Sequence, residues 1–288
     1  MSNWKDVKIN LENQWKGRGD LALLNKRLQA KGVKPGNPRI EDLASMDQLH
    51  AGQLEATYKF ASWVAPCAGD KVMDFGSGLG GPARVLARDF GCTVTALEPI
   101  EELHIAAGNL TKRLNLDTKV EHICKIVNDL EMYKTYDIVW IQHVDVHLWN
   151  REEIYKILVN HLSDRGRIVW HDWLATGKSG VTYPLPWSKS ESVSFLADRS
   201  GFKKALCGAG LDLKRFEKVT DITRKWFEAG KAGLEKLLKK QSVVASKSLG
   251  NVLLEVNNML NNLDRGSLVP FFAEARPKVI WAKVLEKS

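Results

Sequence analysis

The chain has 288 residues, 44% of them hydrophobic and 26% charged, with a formal net charge of +8. That length can bury a sizeable core, and no apolar run approaches the roughly 20 residues that span a bilayer. The polar stretch Met1 to Asn10 has no signal-peptide character, and Cys67, Cys92, Cys124 and Cys207 form no CxxC pair, so a disulfide framework and a structural zinc site are both disfavoured and a cytoplasmic setting is expected.

Residues 1–66 read as helix and loop, broken by the turn-rich Lys34-Pro35-Gly36-Asn37-Pro38. Leu54, Tyr58, Ala61 and Ala65 then recur at helical spacing. From Gly69 the pattern changes to short apolar strands alternating with helices. Strands are expected at Lys71–Phe75, Cys92–Leu97, Val120–Cys124, Tyr136–Ile141 and Arg167–His171. Helices are expected at Ala83–Phe90, Ile100–Leu114 and Arg151–Leu162. Beyond the Gly- and Pro-rich segment Leu174–Lys189 come a helix at 200–209, a strand at 211–219, two helices between 221 and 263, and a last strand near 278–285. This alternation predicts an α/β fold with a mostly parallel sheet. The expected organisation is an N-terminal helical cap over 1–66 and a core over 67–288. That core carries a lid insertion at about 174–200 and a helical insertion at about 221–264. The basic run from Lys214 to Lys240 is interleaved with Glu217, Asp221, Glu228 and Glu235, which reads as a solvated helix face rather than a nucleic-acid surface.

The most specific signal is the strand that runs straight into Gly76-Ser77-Gly78-Leu79-Gly80. Glycines let the backbone turn sharply there and approach a ligand, at the strand end where open α/β sheets bind ligands. Glu98 ends the next strand, about 20 residues on, where a carboxylate can accept both hydroxyls of a ribose. Spacing alone leaves a dinucleotide site open, since Gly76, Gly78 and Gly81 also satisfy GxGxxG. Asp74 favours an adenosyl sulfonium over NAD: the acid repels a pyrophosphate but can hold a cationic amino-acid group.

The run Asp74 to Arg84 resembles the first motif of class I methyltransferases, with their Rossmann-like sheet and antiparallel last strand. The fuller pattern, over roughly 47–230, resembles the ubiquinone-biosynthesis-like group that includes sarcosine/dimethylglycine N-methyltransferases. Asp47-Gln48-Leu49-His50 with Glu55-Ala56-Thr57 is similar to the segment before the core in that group. Gln142 with His147 is similar to its motif after the fourth strand. Tyr183-Pro184-Leu185-Pro186-Trp187 with Ser194-Phe195-Leu196 is similar to its substrate-side insert. The resemblance implies S-adenosylmethionine as cofactor and S-adenosylhomocysteine as product, held by Asp74, Gly76, Ser77, Gly78, Gly80, Glu98, Pro99 and Gln142. Pro99 and Ile100 flank the adenine. Where relatives place an acid after the third strand this chain has Ile126, with Asn128 and Asp129 following.

Methyl transfer is an in-line displacement, and an amine acceptor must be unprotonated to react. Candidate catalytic residues are His143, His147 and Asp172, near the ends of the fourth and fifth strands. His50, Tyr58, His171, Trp173 and Trp187 are candidate substrate contacts, the tryptophans because aromatic faces attract ammonium and sulfonium groups. His143, Asp145 and His147 alternate as metal ligands can, but the segment reads as a loop and no metal is assigned. The expected activity is methylation of a small-molecule amine such as sarcosine or dimethylglycine. The open alternatives are S-, O- or C-methylation of another metabolite, or a non-catalytic S-adenosylmethionine-binding protein. The expected partner is a small molecule, neither nucleic acid nor membrane, with homodimerisation left open.

Overall fold

Strand β1 (Lys71–Phe75) forms the middle of the sheet because its last four residues are all buried. Successive side chains leave opposite faces of a strand. Val72 therefore packs with Phe60 and Leu86 on one face, and Met73 and Phe75 join Tyr155, Trp170 and Phe202 on the other. The computed structural model describes residues 4–130, 135–239 and 243–278. Six further strands complete the sheet: β2 (Thr93–Leu97), β3 (Val120–Ile123), β4 (Tyr136–Gln142), β5 (Leu162–Ala175), β6 (Leu211–Lys218) and β7 (Leu268–Pro277). Their order is β3-β2-β1-β4-β5-β7-β6. Strands β1 to β5 pair in parallel, and β7 lies antiparallel between β5 and β6. This is the expected Rossmann-like class I sheet. The antiparallel strand β7 was not expected at Leu268–Pro277, where Pro270 and Pro277 hide it from a propensity reading; the strand expected near 278–285 falls almost wholly outside the described residues. Residues 279–288 lie outside the described residues.

Four helices precede the sheet: α1 (Trp4–Trp15), α2 (Leu21–Ala30), α3 (Ile40–Asp47) and α4 (Gln53–Val64). The Asp20 carboxylate caps α2 by accepting from the N–H groups of Ala22 and Leu23. Helices α5 (Gly81–Asp89), α6 (Glu101–Arg113), α7 (Arg151–Asn160) and α8 (Arg199–Gly208) connect the strands. Leu24, Leu28, Leu43 and Met46 of the leading helices pack against Leu79, Leu103 and Leu110. One buried ion pair reinforces this seam: Arg84 of α5 meets Asp47 at 2.7 Å, both side chains fully buried. Arg84 also donates to the Leu79 carbonyl and to Thr111 Oγ1, so one guanidinium ties α3, the glycine turn and α6 together.

Helices α9 (Thr220–Leu238) and α10 (Val243–Asp264) lie between β6 and β7. Asn262 of α10 bonds both the N–H and the carbonyl of Thr182, and Asn258 donates to the Pro184 carbonyl. The segment following β5 is thus strapped to α10, with Leu185 and Trp187 packed beside Met259 and Phe227. No helix among the described residues is long and apolar enough to cross a membrane.

Candidate active site

Beyond the C-terminal end of β1 the chain connections diverge, since β2 flanks it on one side and β4 on the other. Such a switch point leaves a crevice. The register aligns Phe75 with Leu97 and with Ile141, which sets the glycine turn between the β2 end at Glu98 and the β4 end at Gln142. Gly76, Gly78 and Gly80 have φ of +72°, +53° and +74°, a region that side chains with a Cβ rarely enter. The N–H groups of Gly76 and Ser77 both donate to the Leu97 carbonyl. The next N–H, of Gly78, donates to Glu98 Oε2 at 2.8 Å, and the N–H of Ile100 donates to Glu98 Oε1 at 2.9 Å. Each carboxylate oxygen keeps a second lone pair for a ligand hydroxyl.

A cleft of about 1140 Å³, its open mouth included, lies over this turn. Asp74, Gly76, Ser77, Gly78, Glu98, Pro99, Ile126, Asn128 and Gln142 line it, as do His50, His143 and His147. Asp74 is 2% exposed, and its Oδ2 has no hydrogen-bond partner. Burial, and next the charge of Glu98, push Asp74 up to about 7. Burial likewise pushes Glu98 up to about 7, opposed by the N–H groups of Ile100 and Gly78. Two buried carboxylates at one turn, one of them with an orphaned oxygen, make an environment that a cationic ligand relieves. A cationic amino-acid group fits that requirement, and a pyrophosphate does not.

At the β4 edge the alternation of the sheet sends Trp140, Gln142 and His171 toward α4. Thr57 of α4 donates to Gln48 Oε1 at 2.8 Å, and His50 Nε2 lies 3.1 Å from the same oxygen. Gln142 Nε2 reaches Thr57 Oγ1 at 3.4 Å and His171 Nδ1 at 3.2 Å. The His50 and His143 rings stack with centroids 5.3 Å apart, and His171 meets His143 edge-on at 4.4 Å. Burial holds His50 down to about 4 and keeps His143 and His171 well below the usual imidazole value. His147, at the rim, is also held down to about 4 by burial, and its Nε2 has no partner.

Several expected site residues lie elsewhere. Asp172 is fully buried, and its carboxylate accepts the N–H groups of Asp145 at 2.7 Å and Trp173 at 2.8 Å, so it holds the turn after β4 instead of facing the cleft. Tyr58 donates to Asp89 and does not line the cleft. His171 backs the network from within the core and does not line the cleft. Trp173 and Trp187 stack on each other in the cluster beside α10, because two large indoles gain more from that apolar packing than from the mouth. Gly80 faces away from the cleft, toward Arg84 and His122. Asp129 is exposed past the lining residue Asn128, leaving Ile126 and Val127 at the wall where an acid was sought. Asp145, weighed as a metal ligand, instead pairs with Arg151 at 3.1 Å and accepts from Tyr155.

The sequence reading missed Leu11 and Trp15, which α1 lays over the cleft, and Lys125 and Leu148. The Trp15 ring meets His147 edge-on at 6.3 Å. Nothing in the local pattern of α1 marks it as a cleft wall, since its moderate amphipathicity fits any surface helix.

A family model described as a methyltransferase domain matches residues 72–166. The chain is 26% identical over 152 residues to a glycine/sarcosine/dimethylglycine N-methyltransferase of Actinopolyspora halophila, covering 52% of this chain and 27% of that protein. It is 28% identical over 116 residues to a sterol 24-C-methyltransferase of Kluyveromyces lactis, covering 40% of this chain and 31% of that one. The match thus spans less than a third of either relative. In fold, the chain superposes with a TM-score of 0.72 and 14% identity on Haemonchus contortus phosphoethanolamine N-methyltransferase 2, covering 94% of this chain and 61% of that one. Sheet order, glycine turn and the terminal acid of β2 agree with that match: residues 72–166 resemble a methyltransferase domain, set on the Rossmann-like sheet of the class I methyltransferase fold.

Proposed function

We propose that this protein transfers a methyl group from S-adenosylmethionine to a small-molecule amine, with sarcosine or dimethylglycine as the leading acceptor. The observation that carries the reading is the unpartnered Oδ2 of the buried Asp74 carboxylate beneath the glycine turn, with Glu98 presenting a second acid at that turn. In this reading Asp74 holds the cationic amino group and Glu98 the ribose hydroxyls. Pro99, Ile100 and Ile126 enclose the adenine, with Asn128 at its edge. Gln142 lies at the methionine end, beside Gly76. The bound cofactor supplies an electrophilic methyl group on a cationic sulfur.

The protein's own contribution is alignment and exclusion of water. Trp15, Leu11 and Leu148 wall the cleft, and the histidines facing it are neutral, so none repels the cationic cofactor. His147 Nε2 is buried without a partner beside the cleft, and His147 is the candidate contact for the nitrogen of an arriving unprotonated amine. A dimethylated amine, once unprotonated, forms a quaternary product and has no further proton to lose. The similarity to a glycine/sarcosine/dimethylglycine enzyme supports this acceptor class. A second reading, methylation at carbon, draws on the same apolar wall and on the sterol methyltransferase likeness. Turnover assays with sarcosine, dimethylglycine and a sterol separate them: the amine reading expects S-adenosylhomocysteine production with the amines alone, and production with the sterol alone would overturn it.

A further inference from the structure

Two indole N–H groups enter the polar network from the core, and an indole N–H can only donate. Trp140 Nε1 donates to Gln142 Oε1 at 3.0 Å. This turns the Gln142 amide so that its NH₂ faces Thr57 and His171. Trp173 Nε1 donates to His143 Nδ1 at 3.1 Å. A ring nitrogen that accepts carries no proton, so neutral His143 holds its proton on Nε2. That Nε2 is buried and has no partner, on a residue that lines the cleft. The ring is held between His50 and His171, and the backbone of His143 adopts φ of +58°, a costly conformation for a residue with a side chain. His143 is therefore a fixed donor whose N–H has no acceptor at the cleft wall, and its geometry does not suit the base role expected from sequence.

We propose that His143 recognises a carboxylate oxygen of the acceptor through Nε2–H, and that Trp173 is the positioning residue that sets its tautomer. The assignment rests on the amine reading above. Among the described residues lining the cleft, Lys125 is the one Lys or Arg, and it adjoins Ile126 at the β3 end. An acceptor carboxylate near His143 thus meets a neutral donor, its charge offset by the adjoining sulfonium before transfer and by the new quaternary nitrogen after it. An acceptor without that oxygen leaves the N–H unpaired in a buried site, which is how such sites discriminate.

The test uses the full chain with S-adenosylhomocysteine bound. Long-range ¹H–¹⁵N correlation on ¹⁵N-histidine-labelled protein reports the His143 tautomer. A pure Nε2–H form in the wild type and a mixture in Trp173→Phe are expected. A wild-type mixture, or a Trp173→Phe protein that melts lower yet keeps the pure form, would overturn the positioning role. In parallel, KM is compared for dimethylglycine and for N,N-dimethylethanolamine, which has a hydroxyl in place of the carboxylate. His143→Leu should raise the dimethylglycine KM by about tenfold or more, the loss of one hydrogen bond to a charged group, and spare S-adenosylhomocysteine affinity. His143→Gln, whose amide nitrogen reaches the Nε2 position, should restore most of it. Equal KM for both amines in the wild type, or a His143→Leu effect confined to cofactor affinity, defeats this inference and leaves the amine reading standing. Turnover of neither amine by the wild type defeats both.

Discussion

The N–H of Gly78 and the carboxylate of Glu98 meet at 2.8 Å across the mouth of the sheet. The bond joins the turn after β1 to the end of β2, so one side chain both shapes the glycine turn and presents its remaining lone pairs to the cleft. Glu98→Ala is accordingly expected to act twice. Cofactor affinity should fall by about 1–3 kcal/mol for the lost charged hydrogen bonds, and the melting temperature should fall because two buried N–H groups lose their acceptor. Calorimetric titration with S-adenosylhomocysteine and a thermal scan measure the two effects separately; unchanged affinity would remove Glu98 from the ribose site.

Gly78 has ordinary van der Waals room for a Cβ, with Leu49 Cδ1 at 3.7 Å the nearest atom, but its φ is +53°. Gly78→Val should therefore abolish cofactor binding by straining the turn and filling the cleft, with the rest of the sheet intact by circular dichroism. Normal titration of this variant would mean that the cofactor lies elsewhere.

The raised carboxylates set a pH dependence. Asp74 and Glu98, at about 7 in the folded protein against ordinary values of 3.8 and 4.5, bind more protons folded than unfolded over the interval between. Their contribution to stability is complete below that interval and is lost as the pH rises through about 7. A bound cation reverses this by favouring the ionised Asp74. S-adenosylmethionine should thus release protons on binding at about pH 6.5, and its stabilising effect should grow toward about pH 8. Calorimetry in buffers of different ionisation enthalpy counts the protons; Asp74→Asn should reduce the release, and an unchanged count would remove Asp74 from the amino-group role.

Asp172 is expected to matter for stability before chemistry. Asp172→Ala leaves the buried N–H groups of Asp145 and Trp173 without an acceptor, at about 1–3 kcal/mol each. Denaturant unfolding should show that loss, with turnover falling as the turn carrying His143 and His147 loosens. A protein of wild-type stability with impaired kcat would restore Asp172 to a catalytic role.

The buried pair Arg84–Asp47 gives a further mutational test. Arg84→Met alone should destabilise by about 3–5 kcal/mol because it strands a buried carboxylate, whereas Asp47→Leu combined with Arg84→Met should recover much of that loss. Additive losses in the cycle would show that the two side chains act independently.

What was legible in the sequence was local. β1 and the glycine turn are marked by a short apolar run ending in residues that only a tight bend needs, and Glu98 by its distance from them. The sheet class followed from alternation alone, because buried parallel strands read as continuous apolar runs. β7 does not read as a strand because Pro270 and Pro277 argue against one, while pairing with β5 and β6 on either side makes it one. The substrate side was harder for the same reason. Whether Asp172 or His143 ends a strand facing the cleft or the core is decided by the turn after β4, and that turn is held by contacts from Tyr155, Arg151 and Asp172 itself. Leu11 and Trp15 reach the cleft only through the packing of α1, which leaves no motif.

The account rests most directly on where a bound adenosine sits. A crystal structure with S-adenosylhomocysteine should place both ribose hydroxyls on the Glu98 carboxylate and the amino group beside Asp74, within the cleft that Gly76 and Gly78 floor. An adenosine bound outside that cleft, or no binding at millimolar ligand, would contradict it.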